Sequence, residues 1–252
     1  MSMSTASQET ITRVREALAR IANVRDTDGR VLVNLPIMYP SGAMAVVEVV
    51  RNQDRYWVSD MGHGLLEAEF MAADTYYGRV AHKVADEFGV DFDGNSIFAL
   101  WVTEGRLEAA IICVANASNR ACAEAIRQAS EVHARRQNER IFTRIVKVFG
   151  ERFVTKSAPI SGAHASWEAH NVVALPNERR AVFEFMSEHQ NSVSSKFLMF
   201  TDIRKAHSDY SLNAVVRSID GLDEKAQLVG DIANFVEIKA SDEVFRQYAR
   251  AA

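Results

Sequence analysis

Cysteine and proline are scarce in this chain of 252 residues: two of the first and four of the second. The two cysteines, Cys113 and Cys122, lie in a stretch that reads as one helix. Nine helical residues rise about 13 Å, too far for a disulfide. They read as small buried apolar residues of a reducing compartment, and no zinc-type cysteine cluster exists. Long hydrophobic runs are also missing. The longest, near Ile111–Ala115, is far short of a membrane span. Met1 to Thr10 has no basic segment followed by an apolar one, so the expectation is a cytoplasmic protein without a membrane. Gly-x-x-x-x-Gly-Lys-Ser/Thr, the dinucleotide fingerprint and Gly-x-Ser-x-Gly are absent, which argues against a P-loop NTPase, a Rossmann enzyme and a nucleophile-elbow hydrolase. Positive charge is not in excess either. The net charge is −4, so any nucleic-acid contact has to come from a local basic face.

What is present is ordinary globular material. Hydrophobic residues make up 48% and charged residues 25%, enough for a core without cross-links. The length suits one large domain or two small ones. Ile11, Val14, Leu18 and Ile21 repeat at helical spacing and predict a helix over 10–22. Asp26 to Gly29 is a turn signal. Strands are expected at 31–38, 43–50 and 56–59, an antiparallel meander. Helices over 65–72 and 78–88 follow, then a strand at 97–102. From Glu104 to Phe149 the pattern is helical, as one long helix or two abutting ones. Beyond it, strands at 153–160, 166–175 (ended by Pro176-Asn177) and 180–186 precede a helix over 193–206. A strand at 212–216, a helix over 222–233, a strand at 235–239 and a helix over 242–249, capped by Ser241, complete the chain. No linker rich in proline, glycine or serine appears. The expected division is an N-terminal domain, 1–129, and a C-terminal domain, 130–252.

Thr27-Asp28-Gly29, Tyr56-Trp57-Val58 and Ser59-Asp60-Met61-Gly62 resemble a domain-of-unknown-function family of bacteria, archaea and phages. Ser161-Gly162, the strand Trp167 to Leu175, and Phe197 to Arg204 with Thr201-Asp202-Ile203-Arg204 resemble a second such family that often follows the first. The resemblance covers most of the chain from about Asp26. It implies a link to phages or mobile elements and supplies no activity. The order helix, three strands, helix, strand in the C-terminal half also resembles the restriction-endonuclease-like fold. The expected fold class is therefore α+β: an N-terminal antiparallel sheet with helices and a C-terminal α/β/α domain, read as a catalytically degenerate copy. Nucleases of that fold carry an acidic residue on the second strand and Asp/Glu-x-Lys on the third, to hold a divalent metal. Glu168 and Glu184 stand at those positions, but Met186 replaces the lysine. Lys196 on the following helix can point back as its substitute, and Glu139 or Glu151 can add an acid.

Asp60 and His63, between glycines, read as a helix-capping turn with a surface histidine. His164, His170, His189 and His207 have no metal-site spacing, and no zinc is expected. Arg135, Arg136, Arg140, Arg144, Lys147, Arg152 and Lys156 cluster at the junction of the halves. Arg136, Arg140, Arg144 and Lys147 repeat at three or four positions on one helical face, while Ile141, Ile145 and Val148 face elsewhere. That stripe either follows a phosphate backbone or is salt-bridged to Glu131, Glu139 and Glu151.

The leading expectation is a non-enzymatic, cofactor-free protein of phage–host conflict or a mobile element. It binds nucleic acid, or a complex that handles nucleic acid, through Arg136, Arg140, Arg144 and Lys147; an inhibitor of a host defence system such as an anti-CRISPR protein falls in this class. One alternative is a magnesium-dependent nuclease using Glu168, Glu184 and Lys196. Another is an oligomeric structural scaffold whose apolar strands pair between copies.

Overall fold

The computed structural model describes residues 3–176 and 178–250. Among them are seven α-helices and two sheets, a mixed α+β architecture. The chain forms two compact units, Met1–Glu131 and Val132–Ala252.

In the first unit, α1 (Met3–Ile21) precedes β1 (Asn23–Thr27), β2 (Arg30–Met38), β3 (Met44–Asn52) and β4 (Arg55–Ser59). Ile11 and Val14 of the α1 stripe are exposed, and the side chains of Leu18 and Ile21 lie outside the described residues. Asp28 and Gly29 both have positive φ, the geometry of a two-residue hairpin turn between β1 and β2. Helices α2 (His63–Phe70) and α3 (Asp74–Phe88) follow. Next come β5 (Asp91–Phe92), β6 (Phe98–Thr103) and the start of α4 (Leu107–Phe149). The sheet order is β1-β2-β3-β4-β6-β5, antiparallel throughout. Val33, Val47, Val58, Tyr77, Val84, Phe98 and Val114 form its core with the alanines of α4.

Helix α4 is one continuous helix of 43 residues, and the boundary of the two units falls within it. The second unit continues with β7 (Val154–Ser161), β8 (Ser166–Ala174), β9 (Arg180–Phe185) and α5 (Gln190–Ala206). It ends with β10 (Ser211–Val216), the short α6 (Glu224–Gln227), β11 (Asn234–Glu237) and α7 (Asp242–Arg250). Pro176 follows β8 as expected, while Asn177 lies outside the described residues. The sheet order is β11-β10-β9-β8-β7. β7, β8 and β9 are antiparallel neighbours, whereas β9, β10 and β11 run parallel. One sheet face packs Val182, Met186, Leu212 and Ala214 against Val193, Phe200 and Ile203 of α5. The other packs Phe183, Phe185 and Val215 against Ile141 and Ile145 of α4 and Phe245 of α7.

The short motifs of the sequence are locks within these units. Asp60 is fully buried. Its carboxylate accepts the backbone N–H groups of Gly62, Gly64 and Phe98 and the hydroxyl of Ser118, at 2.5–3.3 Å. It thereby fixes the start of α2, the start of β6 and the first third of α4 together. Gly64 is required there, since a Cβ would meet Ser118 Oγ at 2.6 Å. In the second unit Asp202 plays the same part. It accepts the N–H groups of His164 and Ala165 and the indole N–H of Trp167, closing the β7–β8 turn onto α5. A Cβ on Gly162 would collide with that carboxylate, so Ser161-Gly162 and Thr201-Asp202 are two halves of one contact. The Asp60 turn is thus a structural cap, as its sequence suggests, and it also reaches a strand and a second helix.

Candidate functional site

The second unit has an irregularity where β8 meets β9. These strands pair only at Val172↔Val182, Val173↔Ala181 and Ala174↔Arg180. Continued by two residues, the same register sets His170 opposite Glu184. There the His170 N–H donates to the Glu184 side chain, at 2.5 Å to Oε1. The β7–β8 ladder also skips this level, pairing Lys156↔Asn171 and Ala158↔Ala169 around it. Ser157, the skipped residue, has a φ of 53°. Such a conformation costs a non-glycine residue about 1–3 kcal/mol, and strain of that kind gathers at functional sites.

Side chains occupy the opening. Strand alternation puts Glu184 on the α5 face, among Val182 and Met186, and it is 0% exposed. Lys196 of α5 donates to Glu184 Oε2 at 2.5 Å, and His170 Nδ1 lies 2.9 Å from the same atom. Burial opposes the charge on Glu184, but Lys196 and then His170 outweigh it and hold the carboxyl below its ordinary value. The hydrogen bond to Glu184 in turn raises the His170 pKa, against the effect of burial. On the other side, Asn138 of α4 accepts the Phe185 N–H at 3.0 Å. Asn171 donates to the Phe183 carbonyl at 3.1 Å. A cleft of about 320 Å³ opens beside them, lined by residues of α4, β7 and β8, among them Glu168 and His170.

The direction of the two shifts sets a pH window. The His170 contribution is fully present below the ordinary histidine value of 6.5 and is lost as pH rises through its higher folded value. The Glu184 contribution is present above its ordinary value of 4.5 and is lost as pH falls through its lower folded value. The second unit is therefore expected to be best held between these limits. Replacing Glu184 by glutamine should lower the His170 pKa, read from its ring-proton shift in NMR. An unchanged His170 titration would refute the contact.

The nuclease candidates are thus only partly assembled. Lys196 does reach Glu184, as a substitute lysine should. Glu168, however, is exposed on the cleft wall, while both Glu184 oxygens are occupied by donors. Glu139 is paired with Lys156, and among the described residues no three His, Cys, Asp or Glu side chains are arranged to hold a metal ion. A divalent cation does not fit Glu184 as it stands. His170 was not visible as Glu184's partner, although one carboxylate inside Ala-Val-Phe-Glu-Phe-Met signals a buried charge in need of partners.

The basic stripe divides. Arg136, Arg140 and Lys147 are exposed and make no ion pair among the described residues. Arg144 is committed to the fold: it donates to the Ile238 and Ala240 carbonyls, pairs with Asp242 at 3.1 Å, and lies over the Phe245 ring. Of the expected acidic partners, Glu131 pairs with Arg127 and Glu139 with Lys156. Arg140 has other company instead. It lines a cleft of about 510 Å³ with Gln137, Arg144, Arg217 and Lys239. Arg217 follows β10 and Lys239 follows β11, so the cleft opens at the carboxyl ends of parallel strands, a recurrent ligand position. Among the described residues no carboxylate lines it. Arg217 and Lys239 lie far from α4 in sequence, and only the parallel pairing of β9, β10 and β11 brings them to it.

Comparison of the chain with family models, curated proteins and solved structures found no match in any of the three.

Proposed function

We propose that the second unit binds the phosphate backbone of a nucleic acid at the cleft of Arg140, Arg217 and Lys239. The observation that carries this reading is a concave site lined by exposed cations and, among the described residues, by no carboxylate, on a chain of net charge −4. A basic face maintained against the overall charge is the footprint of an anionic partner. Arg136 and Lys147 extend it along α4. The order α4, antiparallel β7–β8–β9, α5, β10 supports reading the unit as a restriction-endonuclease-like copy whose metal site is closed by Lys196 and His170. On this reading the protein is a non-enzymatic binder of the phage-linked kind that the sequence resemblance implies.

The test is the salt dependence of oligonucleotide binding, followed by fluorescence anisotropy. Reversing Arg140 and Arg217 to glutamate should weaken binding to all sequences alike. It should also flatten the log–log salt slope by roughly one unit for each phosphate no longer neutralised. The melting temperature should stay nearly constant, because exposed, unpaired cations contribute little to folding. Normal binding by the double variant would overturn the reading. A second reading, metal-dependent cleavage by Glu168, Glu184 and Lys196, draws on the Lys196–Glu184 contact alone. Cleavage of DNA with magnesium, abolished by Glu184→Ala, would put it first.

A further inference from the structure

The smaller cleft beside His170 contains groups that the fold leaves unused. Asn138 Oδ1 accepts the Phe185 N–H and the Asn171 amide, and Asn171 Nδ2 also donates to the Phe183 carbonyl, yet Asn171 Oδ1 has no partner among the described residues although the residue is 1% exposed. A buried acceptor without a donor is costly, and a ligand donor would recover that cost. The Glu168 side chain is exposed and makes no hydrogen bond or ion pair among the described residues, and the same holds for the Arg135 side chain. Lys156 and Glu139 satisfy each other at 2.5 Å. His170 spends Nδ1 on Glu184, so its Nε2 edge remains, on a side chain 40% exposed. The hydrogen bond to Glu184 keeps that ring protonated to higher pH, against burial and the opposing charge of Lys196, and hence a donor at Nε2.

The unused groups are thus three acceptor oxygens, on Glu168 and Asn171, beside donors on His170 and Arg135. A simple phosphate would be repelled by Glu168, and a divalent cation by Arg135. A nucleobase offers donors and acceptors along one rigid edge. Guanine presents N1–H and N2–H donors for a carboxylate, next to the O6 and N7 acceptors that suit Arg135 and His170. The N1 edge is free only in an unpaired base. Both clefts border the same turn of α4, since Asn138 and Glu139 line one and Gln137 and Arg140 the other. A helix with its side chains is about 10–12 Å across, a distance that a few nucleotides span.

We propose that the cleft of Glu168, His170 and Asn171 takes one unpaired base, guanine by preference, from a strand whose phosphates lie on the basic face. This inference rests on the backbone-binding reading above and names its substrate as single-stranded. The experiment uses the full chain and two single strands of about 12 thymidines, within the usual range of single-strand site sizes. One carries a central guanosine and the other a central adenosine. The guanosine strand should bind about tenfold more tightly, the discrimination of one bidentate base contact. Glu168→Gln, at an exposed position with no partner to lose, should abolish the preference and leave the salt slope unchanged. The Arg140→Glu, Arg217→Glu variant should weaken both strands equally and keep the preference. Equal affinity of the unaltered protein for both strands, or a preference that survives Glu168→Gln, overturns the base site. Insensitivity to the arginine reversals overturns the backbone reading instead, and absence of binding to either strand at low salt removes both.

Discussion

Replacing Lys196 with methionine is expected to destabilise the second unit by about 3–5 kcal/mol, the usual cost of stripping one partner from a buried ion pair. Glu184 has no access to solvent, and Lys196 is its strongest charge partner. Methionine keeps much of the volume of the lysine stem but leaves the carboxylate with His170 alone. The Glu184 pKa should then rise, because burial favours the neutral form. The loss should therefore shrink as pH falls and Glu184 takes up a proton. Adding Glu184→Gln should recover more than half of the stability. Glutamine still accepts the His170 N–H, and replacing both charges of a buried pair costs far less than removing one. Urea unfolding followed by the Trp167 indole signal in NMR reports on this unit. A shift of less than about 1 kcal/mol on Lys196→Met, typical of an exposed pair, would mean that the two side chains do not meet in solution.

Asp60→Ala is expected to be as severe, in the first unit. Four donors lose their acceptor at once: three backbone N–H groups and the Ser118 hydroxyl. Each buried donor left unsatisfied costs about 1–3 kcal/mol, and because they share one cavity the sum falls short of additivity, at about 3–5 kcal/mol. Burial raises the Asp60 pKa, so some of this cost is offset by no longer holding a charge out of water. Asp60→Asn should recover only part of the loss, since one of its two polar atoms would turn a donor toward donors. Trp57 and Trp101 lie in this unit and Trp167 in the other. The indole signals of Trp57 and Trp101 should accordingly disappear at lower urea than before. If they do not, the carboxylate is dispensable to the turn.

Most secondary elements could be read from the sequence because hydrophobic periodicity and turn residues coincide there. Val31 to Met38 alternates, Gly89 stops α3 with a left-handed φ of 63°, and Ser241 Oγ accepts the Val244 N–H at the start of α7. β1 escaped because all five of its residues are exposed and show no apolar alternation. β5 escaped because it has two residues. The candidate sites were less legible for a different reason. Arg144 shares the helical spacing of Arg136 and Arg140, and only the position of α7 diverts it to the fold. Lys196 could be placed near Glu184 by counting strand and helix positions. The facing of His170 and Glu184 depends on the β8–β9 register, and the joining of Arg140, Arg217 and Lys239 depends on strand order. Neither is a local property of the chain. The motifs most conspicuous in the sequence, around Asp60 and Asp202, proved to hold turns in place.

The hairpin of β1 and β2 also bears on how copies of the chain can meet. A sheet border with unpaired backbone groups is a template on which another chain can add a strand. β1 forms one border of the first sheet and offers exposed Asn23, Arg25 and Asp26 there; the opposite border, β5, is two residues long. In the second sheet β11 has four residues, and β7 carries Pro159, which has no N–H to donate, and the left-handed Ser157. Among the described residues all four borders are short, charged or interrupted. Such features discourage edge-to-edge pairing between copies.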